Sequence, residues 1–174
     1  MSTTWQNRII GEGTEDPGQI LANPANWRLH PKHQQDALEG VLNEVGWVQR
    51  VIVNQRTGHL IDGHLRVSLA LRRNEASVPV EYVDLDPSEE ALVLATLDPL
   101  AALATTDADK LDELLRDVAT GEAAVQQMLA ELAERNGVIP ADTFNAEDEW
   151  VGMPEFEHED RRPVAQVTVY FGSL

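Results

Sequence analysis

Five consecutive residues, Asp62-Gly63-His64-Leu65-Arg66, have the types and spacing that suit an anion. The run His59-Leu60-Ile61 stops at Asp62-Gly63, and a helical pattern of Leu65, Val67, Leu69, Ala70 and Leu71 begins at once. A glycine at such a strand-to-helix junction lets the backbone approach a ligand closely. The helix behind it offers unpaired N–H groups and the positive end of a dipole, which together favour phosphate. Arg66, in the first turn, adds a forked, charge-assisted contact. His64 either donates to that phosphate or caps the helix, and Asp62 suits a Mg²⁺ that accompanies a bound phosphate. Gly-x-x-Arg by itself also fits any strand-to-helix corner with a surface arginine, so its surroundings decide.

Those surroundings form a compact unit. The β-type run Val51-Ile52-Val53 precedes a turn at Gln55 to Gly58, and a third run, Val78 to Val83, follows the helix. Upstream, residues 1–17 read as a flexible arm with one short strand near Arg8 to Ile10, and Gln19 to Ala22 as the first strand of the module. Asn23-Pro24 turns the chain, the asparagine bonding its own backbone. Pro31 opens a helix to about Val45, whose face of Leu38, Val41, Leu42 and Val45 is expected in the core, and Gly46 ends it.

Downstream, Asp86-Pro87-Ser88-Glu89 is a capping box with proline at the first helical position. The apolar helix Ser88 to Thr96 should pack on the sheet, and Asp98-Pro99 should interrupt it. Thr106 is expected to cap a helix carrying Leu111, Leu114, Leu115 and Val118. A second helix carries Val125, Met128, Leu129 and Leu132, so residues 99–137 form a helical hairpin beyond the 18–98 domain. Residues 138–163 read as an acidic linker, with eight acids and no Lys or Arg between Asp142 and Asp160. Val164 to Phe171 alternates as a strand within 164–174, which joins the sheet, pairs with another chain or begins a truncated domain. The fold class is α+β: a small mixed sheet with packed helices, a helical hairpin, and an acidic segment ending in a strand.

The chain has 174 residues, a formal charge of −17 and no cysteine. Cysteine-free composition excludes a disulfide framework, a thiolate metal site and a cysteine nucleophile. No run has the apolar length of a membrane span, and MSTTWQNRII is no signal peptide, so a cytoplasmic place is expected. The charge argues against simple binding to duplex DNA. Its distribution qualifies that: from Asn23 to Arg73 seven basic residues face four acidic ones, a net +3 that includes Arg72 and Arg73 as candidate DNA contacts. His30, His33, His59 and His64 follow no closed metal-site spacing.

Taken together, Asn23-Pro24, Gly46-Trp47-Val48-Gln49, Val51-Ile52-Val53, Leu60 to Arg66 and Val78-Pro79-Val80 resemble, in order, the ParB/sulfiredoxin superfamily, the ParB-like nuclease N-terminal domain. The resemblance implies a nucleotide triphosphate, CTP or ATP with Mg²⁺, held by Asn23, Asp62, Gly63, His64, Leu65 and Arg66. ParB itself reads Gly-Glu-Arg-Arg here and closes as a DNA clamp. This chain keeps Gly63 and Arg66 and lacks the Glu and the first Arg. ParB's Asn-Pro-Arg box becomes Asn23-Pro24-Ala25, with Arg28 later. Sulfiredoxins read Gly-Cys-His-Arg, and with His64 at the cysteine position that chemistry is excluded. Free-serine kinases of the superfamily read Asp-Gly-His-His-Arg with a helix glutamate as base; here Leu65 replaces the second His.

Three functional classes follow. The first is an accessory ParB-like module of phage or bacterial DNA metabolism, in a bacterial cell or phage-infected host. It binds a nucleotide, contacts DNA and serves DNA modification or partition. Gly46 to Ala70 resembles ParB-like domains that precede DNA-modification methyltransferases, and the Trp150 to Phe156 segment resembles phage proteins that continue past such a domain. The second is a phosphotransferase or nuclease using Glu44, Asp62 and His64. The third is a non-catalytic homodimerisation module.

Overall fold

The computed structural model describes residues 4–138. The acidic segment and the C-terminal strand expected from the sequence lie outside the described residues. Four strands form one mixed sheet in the order β1-β4-β2-β3, with β1 Ile9–Glu15, β2 Val51–Asn54, β3 Leu60–Asp62 and β4 Val78–Val83. β1 runs antiparallel to β4 and β3 antiparallel to β2, while β2 and β4 are parallel. That parallel pair needs a crossover, and α2 His64–Arg73 provides it.

Alternation along β2 divides the core. Val51 and Val53 face one side, where they join Leu60, Val78 and Val80 against Val67 and Ala70 of α2. Ile52 faces the other side, with Ile61, Val83, Leu85 and Val93. Val93 belongs to α3 Pro87–Ala102, so helices cover both faces of the sheet.

The α+β class and the mixed sheet agree with the sequence, and several particulars differ from it. The short strand expected near Arg8 to Ile10 forms and runs on to Glu15 as β1, through residues expected to be loose. The strand expected at Gln19 to Ala22 reduces to a single 3₁₀ turn, Pro17–Gln19, and one bridge from Leu21 to His59. In α1 Lys32–Glu44 the buried residues are Ala37 and Gly40. Leu38, Val41 and Leu42 are half-buried and Val45, past the last turn, is exposed. Gly40 is where α5 Ala123–Arg135 comes close: a Cβ there would stand 2.8 Å from Val125 Cγ2.

The capping box at α3 is present in full. Asp86 accepts from the amides of Ser88 and Glu89, and the Glu89 carboxylate accepts from Asp86 N–H. Pro99, however, sits inside α3. The helix ends within a turn of it, so the hydrogen bond that proline forfeits lies on an exposed stretch. Only the N-terminal half of α3 packs on the sheet; Leu92, Leu100 and Leu103 are exposed. The next helix, α4 Ala108–Asp117, is capped by Asp107 rather than Thr106, and Val118 falls just beyond it in extended conformation. Met128 is more exposed than the helix pattern implied, and Val125 and Ala133 are the buried residues of α5. No helix among the described residues is long and apolar enough to cross a membrane.

Candidate functional site

The strand β3 and the helix α2 meet at Gly63, whose φ of +95° is a left-handed conformation that glycine adopts without a Cβ penalty. Among the described residues no side chain caps the start of α2. The first helical backbone bond is Val67 N–H to Gly63 O, so the amides of His64, Leu65 and Arg66 precede it at the positive end of the helix.

Arg66 folds back over this corner. Its guanidinium donates to Asp62 Oδ2 at 2.8 Å and to Gln49 Oε1 at 2.6 Å, and its side chain is 14% exposed. Arg66 Nε, by contrast, is buried without a hydrogen-bond partner among the described residues, and so is His64 Nε2. Buried polar atoms without partners are uncommon in folded proteins and mark a place where a ligand or water completes the structure. Both lie at a cavity of about 170 Å³ that is lined by Asp62 to Arg66 at its base.

Burial pushes the His64 imidazole below its ordinary pKa, opposed by the charge of Asp62 and assisted by that of His30. The folded state therefore holds fewer protons than the unfolded chain, and His64 costs stability as pH falls through the ordinary histidine value of about 6.5. Between about pH 7 and pH 5 the unfolding midpoint of the wild type should drop more steeply than that of His64→Gln, measured by thermal melts in one buffer series. Parallel curves would show that the ring titrates alike in both states.

The outer walls of the cavity come from two segments whose role the sequence did not reveal. Asn26, Arg28 and His30 form one, and Leu94, Leu97 and Asp98 of α3 the other. Arg28 pairs with Asp98, and its guanidinium also stands 5.6 Å from the centroid of the Trp27 ring. Arg28 displaced from the Asn-Pro-Arg position was the one sequence signal for this wall.

The remaining candidate residues lie elsewhere. Asn23 does not line the cavity; its carbonyl oxygen accepts from Ala25 N–H, the turn expected of it, and its amide donates to Glu90. Glu44 is not at the corner either. At the end of α1 it accepts from Thr120 Oγ1 and Gly121 N–H, both at 2.6 Å, and those bonds hold its carboxyl below the usual range. The structure thus brings Asp62 and His64 together and leaves Glu44 out. Arg72 is exposed at the end of α2, while Arg73 turns toward α1, bonded to Asn43 and 3.9 Å from both Glu39 and Glu75. Among the described residues no three His, Asp or Glu side chains converge on a metal position. A Mg²⁺ here would rely on Asp62 as its protein ligand and on phosphate oxygens and water for the rest.

No family model and no curated protein matches the sequence. Solved structures do. The C-terminally truncated chromosome-partitioning protein ParB from Caulobacter crescentus, complexed with CTP-γ-S, superposes with a TM-score of 0.50 at 16% identity, covering 74% of this chain and 72% of that one. Two structures of a pNOB8-like ParB N-domain give TM-scores of 0.46 at 16% and 14% identity, covering 78% and 79% of this chain and 66% and 63% of theirs. The fold is thus ParB-like, a four-stranded mixed sheet with packed helices.

Proposed function

We propose that the chain is a ParB-like module that binds a nucleotide through its phosphates at the corner of residues 62–66, accessory to DNA modification or partition. One observation carries the reading: among the described residues an uncapped helix start, Arg66 Nε and His64 Nε2 are all left without partners at the same cavity. The ParB of like fold, complexed with a CTP analogue, supports a nucleotide as the anion's source. The helix amides and Arg66 take the phosphates, neutral His64 donates or accepts at their edge, and Arg28 and His30 face the remainder of the ligand. A Mg²⁺ bridging Asp62 to the phosphates would offset the carboxylate's own repulsion.

Calorimetric titration and thermal shift with CTP and ATP, each with and without Mg²⁺, test this. A ligand present at about 100 times its Kd stabilises the folded state by about 2.7 kcal/mol and raises the midpoint. Absence of any heat or shift with both nucleotides would leave the corner without its proposed ligand. A phosphotransferase or nuclease built on Glu44, Asp62 and His64 gains no support from the geometry, because Glu44 is committed to the turn before α5. Arg72 is the more available of the two arginines for a DNA backbone, since Arg73 already faces Glu39 and Glu75.

A further inference from the structure

Glu90 is buried, 8% exposed, and carries more hydrogen bonds than any capping role requires. Its Oε1 accepts from Asn23 Nδ2 at 2.8 Å and lies 3.4 Å from His59 Nδ1. Its Oε2 accepts from Asn54 Nδ2 at 2.5 Å and Thr57 Oγ1 at 2.8 Å. Burial opposes the charge, but the bonds from Asn54, Thr57, Asn23 and His59 outweigh it and hold the carboxyl below its usual range. One oxygen thus faces the segment that begins at Asn23, and the other faces the turn between β2 and β3, whose second strand delivers Asp62 to the corner.

The same face of α3 holds that segment at two further points. Trp27 Nε1 donates to Leu94 O at 3.4 Å, and Arg28 pairs with Asp98. Glu90, Leu94 and Asp98 are four residues apart, one above another on the helix. Residues 23–28 therefore run along one stripe of α3, and both sides of that seam are walls of the cavity. The three ties are unequal. The Arg28–Asp98 pair is more than a third exposed on both sides and the Trp27 bond is long, so each fixes little. Only the Asn23–Glu90 bond is buried and charge-assisted.

We propose that Glu90 is a positioning residue: through Asn23 it fixes the outer wall of the cavity, residues 24–30, relative to the phosphate corner. The part that concerns the ligand rests on the nucleotide reading above. Asn23 on this view never touches the ligand and acts through Glu90.

The test uses Asn23→Asp, which retains the acceptor for Ala25 N–H and sets a carboxylate against Glu90. Hydrogen exchange of residues 24–30 should accelerate about tenfold or more, and CTP affinity in Mg²⁺ should fall by about the same factor, as for one lost hydrogen bond to a charged group. In the double variant Asn23→Asp/Glu90→Gln the amide and carboxylate change places. The position-90 amide nitrogen then donates to the position-23 carboxylate, while its oxygen keeps Asn54 and Thr57. Both readouts should return to within about threefold of wild type, because the bonds to positions 23, 54 and 57 are remade and only the long His59 contact loses its acceptor. Should the single variant fail to fold, the double variant is still expected to fold and to exchange as the wild type does. Unchanged exchange in Asn23→Asp, or acceleration that the double variant does not reverse, overturns the positioning role. A wild type that binds no nucleotide while the exchange pattern holds removes the ligand and leaves the wall, so the two failures are distinct.

Discussion

Gly63→Val is expected to lose most of the folded protein, and Gly63→Ala to lose about 2–5 kcal/mol, a large share of the 5–15 kcal/mol that holds a domain together. Two costs add. A φ of +95° penalises any residue with a Cβ, by about 1–2 kcal/mol. That Cβ would also stand 2.6 Å from Val51 Cγ1 and 2.9 Å from Val51 Cβ, and overpacking of this kind costs about 1–3 kcal/mol. Val51 is fully buried in the middle of the sheet and cannot give way without moving β2. Valine adds two methyl groups to the same collision. In the sequence this glycine belongs to the ligand side, where it admits a close backbone approach. The structure adds a constraint from the opposite side: the corner is pressed directly onto the core. Urea denaturation of Gly63→Ala should show a lowered midpoint with an unchanged slope. A wild-type midpoint would mean that the corner relaxes freely, and a preformed anion cradle at residues 62–66 would lose its rigidity along with its glycine.

What could be read beforehand were features whose cause is local. The box at Asp86 and Glu89, the turn at Asn23 and the strand-to-helix break at Gly63 each depend on residues within four positions, and each formed. What could not be read depended on neighbours far along the chain. β1 looked like a loose arm because Gly11 and Gly13 weaken a strand on their own. In the fold the ring of Tyr82 lies beside both glycines, and pairing along β4 from Ile9 to Glu15 holds the strand that they weaken. In the sequence Glu90 is one more acid in the first turn of a helix. Its partners Asn23, Asn54 and Thr57 lie 67, 36 and 33 residues away. The walls of the cavity were hidden for the same reason: Arg28 and Asp98 are ordinary surface charges until the chain brings them together.

Arg66→Ala is expected to weaken CTP or ATP binding by about 1.5–3 kcal/mol, the range for hydrogen bonds to a charged group. The loss should be read in affinity. Asp62, the partner left behind, is only about a quarter exposed, so the midpoint of unfolding should fall as well, and affinity is measured well below it. In the free protein the guanidinium is shared between Asp62 and Gln49, with only Nε unengaged. An incoming phosphate must therefore either add to Nε and the helix amides or take the place of Asp62. Asp62→Asn separates these routes. If phosphate displaces the carboxylate, the substitution removes a competitor and a repulsive charge, and binding in EDTA tightens. If Asp62 instead carries a Mg²⁺ to the phosphates, binding in Mg²⁺ falls toward the EDTA value. Arg66→Ala should weaken binding in both conditions, since either route uses the same cation. Titrations of Arg66→Ala that overlay those of a wild type that does bind would remove Arg66 from the site, and the helix amides alone would then have to account for the affinity.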